Sequence, residues 1–208
     1  VVDIQGKERV TGVTIAQVDG KGTPIPGTEE QIPCATLLLS VGLIPENELS
    51  KEVGVQLSPV TNGPTVNESL ETSIPGVFAC GNVLHVHDLV DYVSEEAEQA
   101  VKHAAAYVQG KRAAQGREIP LKPEGAARYT VPAAVDPQRM EDQLVVRFRV
   151  SRNIRKGLVQ VYGDDKLLYT RKRPVMAPGE MEQVVFQKAW LTGGEREIRV
   201  VAKEEEAK

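Results

Sequence analysis

The sequence has little of what marks several large classes of protein. Only two of its 208 residues are cysteines, Cys34 and Cys80, and they form no Cys-x-x-Cys pair, which argues against a disulfide scaffold or an internal redox pair. Two separate thiols are typical of a reducing compartment, so we expect a cytoplasmic protein. No apolar run approaches the roughly 20 residues that span a bilayer, and no secretory signal pattern is present.

A second absence concerns nucleotides. No Gly-x-Gly-x-x-Gly occurs in the chain, although this motif commonly holds a dinucleotide pyrophosphate against a helix N-terminus. The chain also opens on the strand-like residues "VVDIQG" without a methionine, and we expect its natural start to lie upstream. Aromatic residues make up 4% and the net charge is −4, which argues against nucleic-acid binding.

Charge is divided unevenly along the chain. Residues 1–116 hold 7 Lys and Arg against 15 Asp and Glu, a net charge of −8, whereas residues 117–208 hold 18 against 14, a net charge of +4. A chain of this length can form two small domains. We therefore predict one domain over residues 1–116 and a second over residues 117–208.

The first of these domains has an α/β pattern. "RVTGVTIAQV" alternates as a strand does, and "CATLLLSVG", from Cys34, predicts a strand buried on both faces. "VFA" at residues 77–79 predicts another short strand. Apolar residues then recur at three- and four-residue steps over 89–108, which predicts a helix packed on a sheet, with Asp88 as its N-cap and an end near Gly110.

The second domain has a β pattern. We interpret residues 111–125 as a linker. "QLVVRFRVSR" then alternates, with Val146, Phe148 and Val150 on one face. A hairpin follows with its turn at residues 163–165, and two more strands flank Gly193 and Gly194. Short strands at this spacing predict a small antiparallel β-sandwich of the immunoglobulin-like kind.

The run "ETSIPGVFACGN", residues 71–82, is the most informative segment. It places Gly81 and a polar side chain between a short apolar strand and a helix, where ligands bind in open α/β sheets. The run resembles the second flavin-binding motif of the pyridine nucleotide–disulfide oxidoreductase superfamily. "CATLLLSVGLIPENEL", about thirty residues earlier, resembles the segment where the NAD(P)-binding domain of that family returns to its FAD domain. The string "CGNVLHVHDLVDYVSEEAEQA" is more narrowly similar to NAD(P)/FAD oxidoreductases associated with anaerobic glycerol-3-phosphate dehydrogenases.

The resemblance implies a partial Rossmann-like fold and a set of cofactor-binding residues. Gly81 would let the backbone approach FAD. Asn82, where the family has Asp, would bond a ribityl hydroxyl. The first turn of the helix, at Asp91, Tyr92 and Val93, would stabilise negative charge on the flavin. The structural alternatives are an ordinary left-handed turn at Gly81–Asn82 and a helix that only packs on the sheet.

His85 and His87 are the remaining candidates for chemistry. Their spacing puts both rings on one side of an extended segment, but no third ligand is evident nearby, so we predict no metal site. Packing in the loop or proton transfer by one histidine are the open interpretations. No residue is predicted to be catalytic by itself.

Two functions follow from these observations. The first is the C-terminal portion of an FAD-dependent oxidoreductase that transfers hydride between NAD(P)H and FAD and on to an unidentified acceptor. That portion is expected to be inactive alone and to form a homo-oligomer. The second is a non-catalytic module whose β-sandwich docks a partner subunit. Basic side chains such as Arg147 and Arg149 would then contact an acidic surface, either the acidic flavin domain of the same chain or another subunit. Strand alternation predicts that most of these basic side chains face solvent.

Overall fold

A computed structural model describes residues 1–111 and 113–205 of the chain. These form two compact units, one over Val1–Gly42 and one that begins at Leu43. The boundary predicted between residues 116 and 117 falls inside the second unit and stays a prediction. In the described part of the chain, no helix has the length and apolar character needed to cross a membrane.

The first unit contains a three-stranded antiparallel sheet in the order β1-β2-β3. Its strands are β1 (Asp3–Gln5), β2 (Gly12–Ile15) and β3 (Glu30–Pro33). The buried strand predicted from Cys34 onward is wrong, because residues 34–42 form no strand. Leu38 is 90% exposed and Val41 is 79% exposed. The apolar run has no neighbouring strand within this unit to hydrogen-bond or cover it.

The second unit opens with irregular chain and two helices, α1 (Glu48–Glu52) and α2 (Val90–Val108). Helix α2 confirms the predicted helix, and Gly110 follows it with φ +67°. The strand predicted at residues 77–79 is wrong, since Phe78 makes only an isolated bridge to Glu71. The predicted N-cap is also wrong. Leu89 occupies the cap position in an extended conformation, and no side chain caps the helix.

Seven strands follow α2 among the described residues, in a five-stranded sheet of order β5-β4-β10-β7-β8 and a two-stranded sheet β6-β9. The strands are β4 (Ile119–Gly125), β5 (Ala134–Val135), β6 (Gln143–Phe148), β7 (Ile154–Gly163), β8 (Lys166–Met176), β9 (Glu182–Gln187) and β10 (Ile198–Glu204). Strand β4 lies within the predicted linker, which is therefore wrong over its second half. The predicted antiparallel arrangement also needs correction, because β4 and β10 pair in parallel.

The main hydrophobic core lies between these strands. Val146, Phe148 and Val150 are each 1% exposed or less, as the alternation predicts, and they pack with residues of the five-stranded sheet such as Val159 and Ile198. A smaller core joins α2 and the chain before it to the segment that precedes β5. It contains Val66, Leu70, Ala79, Leu84, Ala100, Tyr129 and Val131. The smaller core places the Gly81 turn and helix α2 against β6.

Candidate functional site

The predicted cofactor turn is a single 3₁₀ turn over Gly81–Val83. Gly81 has φ +72°, a conformation that side chains with a Cβ rarely adopt. A Cβ at this position would also lie 3.1 Å from Cγ1 of Val93. The carbonyl of Gly81 accepts hydrogen bonds from the amides of Leu84 and His85. The turn is thus fixed tightly against the first turns of α2.

Glu96 of helix α2 lies at the centre of the site. Its carboxylate accepts four hydrogen bonds. One oxygen accepts from His85 Nε2 at 2.9 Å and from Arg147 Nη1 at 3.2 Å. The other accepts from the Gly81 amide at 2.9 Å and from His87 Nε2 at 2.9 Å. The side chain therefore ties the turn, the histidine segment and strand β6 to one helix.

This cluster is buried. Glu96 is 3% exposed and His85 is 1% exposed, and the His85 and His87 rings meet edge to face with centroids 4.4 Å apart. The Nδ1 atoms of both rings are buried without a hydrogen-bond partner in the described part of the chain. Glu96 is thus the polar partner of both imidazole side chains.

The electrostatics of the cluster favour an anionic Glu96. Burial by itself raises the pKa of the Glu96 carboxyl. The hydrogen bonds from His85 and His87 together outweigh this effect and lower the pKa from 4.5 to about 2. Burial lowers the pKa of His85, against the opposing effect of Glu96. The pKa of the neighbouring Cys80 thiol is raised by burial and by the Glu96 charge, so this cysteine is a poor nucleophile.

The arginines of β6 and its continuation complete the site. Arg147 is 4% exposed and donates to Glu95 at 2.7 Å as well as to Glu96. Arg149 donates to the Val86 carbonyl at 3.0 Å and pairs with Asp88. The solvent-facing position predicted for these two side chains is therefore wrong. They contact the acidic segment of their own chain, because the smaller core brings α2 across the strand.

The other predicted cofactor residues occupy different positions in this arrangement. Asn82 is exposed, and its Oδ1 accepts from the His87 amide at 3.1 Å. Tyr92 lies under the Arg147 guanidinium, 5.0 Å from the ring centroid, and its amide donates to the Leu89 carbonyl. Asp91 is exposed in the first turn of α2. Gly81 thus contacts Glu96 directly, Tyr92 contacts Arg147, and Val93 borders Gly81. Asp91 lies outside this set of contacts.

Sequence reasoning missed Glu96, and it assigned Arg147 to a docking surface and not to this site. The signal for Glu96 was present, since it lies three residues after Val93 and four before Ala100, within the inward stripe of the helix. A charged residue in such a stripe needs a buried partner. The partner comes from strand β6, more than fifty residues away, and no local pattern indicates that pairing.

Comparison with known proteins places this site in a family. Residues 2–105 match the family described as pyridine nucleotide-disulphide oxidoreductase. The chain belongs to this family. The matched residues include the Gly81 turn, both histidines and Glu96, whereas Arg147 lies beyond them.

Three curated relatives match parts of the chain. A ferredoxin–NADP reductase of Picrophilus torridus is 32% identical over 77 residues, which is 35% of this chain and 23% of that protein. Putidaredoxin reductase CamA of Pseudomonas putida is 32% identical over 114 residues, 50% of this chain and 26% of the relative. Glutamate synthase [NADH] of Schizosaccharomyces pombe is 30% identical over 88 residues, 42% of this chain and 4% of the relative. The chain thus spans about a quarter or less of the length of these relatives.

Proposed function

We propose that the chain is the C-terminal portion of an FAD-dependent oxidoreductase that transfers hydride between NAD(P)H and FAD and on to an acceptor. The observation that carries the proposal is the Gly81–Asn82 turn, held by Glu96 directly beside the first turns of α2. The family match and the named reductase relatives support the same class of reaction. The narrower relation to proteins associated with anaerobic glycerol-3-phosphate dehydrogenases belongs to this proposal as well.

The residues present fit a flavin in part. The amide of Gly81 donates its hydrogen bond to Glu96, so it is not free to donate to the cofactor. The contribution of the turn would be to let the backbone pass close to the cofactor. Asn82 is exposed, and its amide group can bond a ribityl hydroxyl. The first turn of α2, at Asp91, Tyr92 and Val93, supplies the positive end of a helix dipole. When bound, FAD would supply the hydride chemistry, and these residues would orient it and adjust its potential.

The proposal assigns a supporting role to the rest of the site. Glu96 fixes the conformation of the turn, and Arg147 and Tyr92 hold Glu96 and the helix start in place. The 208 residues contain no Gly-x-Gly-x-x-Gly, so on this proposal the chain alone does not turn over. We also propose that it works as a homo-oligomer or with a partner oxidoreductase subunit.

The absorption spectrum of the protein produced from its complete reading frame tests this function. We expect a flavin band in the visible range that NAD(P)H bleaches. Asn82→Ala should lower the flavin content per protein. Asn153 is exposed just before β7, and Asn153→Ala should leave the flavin content unchanged. A colourless protein that does not take up added FAD would overturn the proposal.

A further inference from the structure

Two histidines and a glutamate converge on one point inside the protein. The Nε2 atom of His85 lies 2.9 Å from one carboxylate oxygen of Glu96, and the Nε2 atom of His87 lies 2.9 Å from the other. One ligand atom from each of the three residues lies within 4.8 Å of the others. The side chains are at most 4% exposed, so their positions are set by packing.

The donor set is one that transition metals use. Imidazole nitrogen and carboxylate oxygen together suit Zn²⁺, and two histidines with one glutamate form a known catalytic zinc set that leaves a position for water. The spacing of the ligands also fits the fold. His85 and His87 come from the segment after the 3₁₀ turn, and Glu96 comes from the second turn of α2, so the site forms only when the turn packs on the helix.

The surrounding charges favour a cation. Arg147 is shared between two carboxylates, and its contact with Glu95, at 2.7 Å, is shorter than its contact with Glu96, at 3.2 Å. Glu96 also lines a cavity of about 340 Å³ whose other acidic residues are Glu68, Glu95, Glu98 and Glu141. Arg147 lines the same cavity, but the four further carboxylates outnumber it, so a divalent cation has an acidic route to the Glu96 carboxylate.

The sequence predicted no metal site because it showed no third ligand near the two histidines, and Glu96 is that ligand in the structure. We therefore propose that His85, His87 and Glu96 form a binding site for a divalent metal ion of the zinc class. The ligands are His85 Nε2, His87 Nε2 and the Glu96 carboxylate, and water or a small ligand takes the remaining coordination position. The site joins the Gly81 turn to α2, and it does not depend on the proposed flavin chemistry.

Metal binding by the chain itself tests the proposal. The protein is stripped with a chelator, dialysed against Zn²⁺ or Co²⁺, and analysed by elemental mass spectrometry and visible absorption. We expect one equivalent of metal and a cobalt spectrum without a thiolate charge-transfer band, because neither cysteine belongs to the ligand set. His87→Gln and Glu96→Gln should each weaken binding by at least about 100-fold, since loss even of outer partners costs about 10–100-fold.

His103 provides the matched control, because it is the remaining histidine of the chain, lies on α2 and is outside the ligand set. His103→Gln should keep full stoichiometry, and zinc should raise its melting temperature as it raises that of the unaltered chain. If Glu96→Gln fails to fold, the metal affinities of His87→Gln and His103→Gln are compared instead, and weaker binding by His87→Gln supports the site. Failure of the unaltered chain to take up metal, equal binding by those two variants, or a thiolate band in the cobalt spectrum would each overturn the site. Flavin content is read separately, so its absence leaves this result unchanged.

Discussion

At the scale of single residues, Gly81 is the position where backbone conformation and packing act together. We expect Gly81→Ala to destabilise the protein by more than about 1–2 kcal/mol, the usual cost of placing a side chain at positive φ. The added cost arises because the new Cβ would meet Val93 Cγ1 at 3.1 Å in a turn that Glu96 already holds. Urea unfolding of the chain measures the difference in free energy.

Gly110 separates these two contributions. It has φ +67°, close to that of Gly81, but nothing lies within 4 Å of a Cβ built there. Gly110→Ala should therefore show the conformational cost alone, and Gly81→Ala should exceed it. Equal losses of unfolding free energy in the two variants would mean that the Val93 side chain moves away from the new Cβ at no cost and that the turn is not held tightly.

Individual residues also show how much of the site can be recognised from the sequence. The turn at Gly81 and the place of Val93 near the start of α2 were predictable, because a glycine after an apolar run and a helix start are local signals. Their role towards FAD stays a prediction. Glu96 and Arg147 were not recognised as a pair, since their contact joins a helix to a strand across a core that no local pattern describes. Asp88 shows the same limit. Its sequence position suits an N-cap, but Arg149 offers it an ion pair instead.

Among the helices and strands, those predicted from the periodicity of a single segment were found in the structure. Strands whose existence depends on pairing with another segment were predicted wrongly. Helix α2 and the strands β6 to β10 follow from their own periodicity and turns. The strands predicted at residues 34–42 and 77–79 failed, because an apolar run becomes a strand only when another strand pairs with it. The parallel pairing of β4 with β10 could not be inferred either, since the two lie more than seventy residues apart.

The loop before β10 gives a prediction at this scale. Burial raises the pKa of the Glu195 carboxyl, but bonds from the Thr192 hydroxyl and from the amides of Thr192 and Gly193 bring it to about 2, against an ordinary value of 4.5. A carboxyl with a lowered pKa stabilises the folded state above pH 4.5, and this stabilisation is lost as the pH falls from 4.5 towards 2.

Glu195→Gln should therefore have a lower free energy of unfolding than the unaltered chain near neutral pH. This difference between the two proteins should become smaller as the pH falls from 4.5 towards 2. Urea midpoints at about pH 7, 4 and 3 measure the effect. The exposed Glu118→Gln is the control and should keep a constant offset from the unaltered chain. A gap that stays constant for Glu195→Gln would show that its hydrogen bonds contribute nothing specific to the ionised form.

At the scale of the whole molecule, the distribution of apolar surface is unusual for a chain that works alone. Helix α2 was expected to press its apolar stripe on a sheet, yet Val90 is 75% exposed, Val101 is 68% exposed and Val108 is 84% exposed. Only Glu96 and Ala100 of the helix are buried. Exposed apolar surface of this kind marks sites of association, so the face of α2 that bears Val101 and Val108 is expected to pack against another surface.

Self-association of the chain should follow from this exposure. We expect light scattering to show species larger than a monomer, in an amount that rises with protein concentration, because each valine removed from water gains about 1.5–3 kcal/mol. Val101→Lys should shift the distribution towards the monomer by placing a charge in the apolar face. Gln99→Lys adds the same charge at an exposed polar position on the opposite side of α2 from Val101 and should leave the distribution unchanged. A monomer at all concentrations, or equal effects of the two lysines, would show that the valine face is not the contact surface.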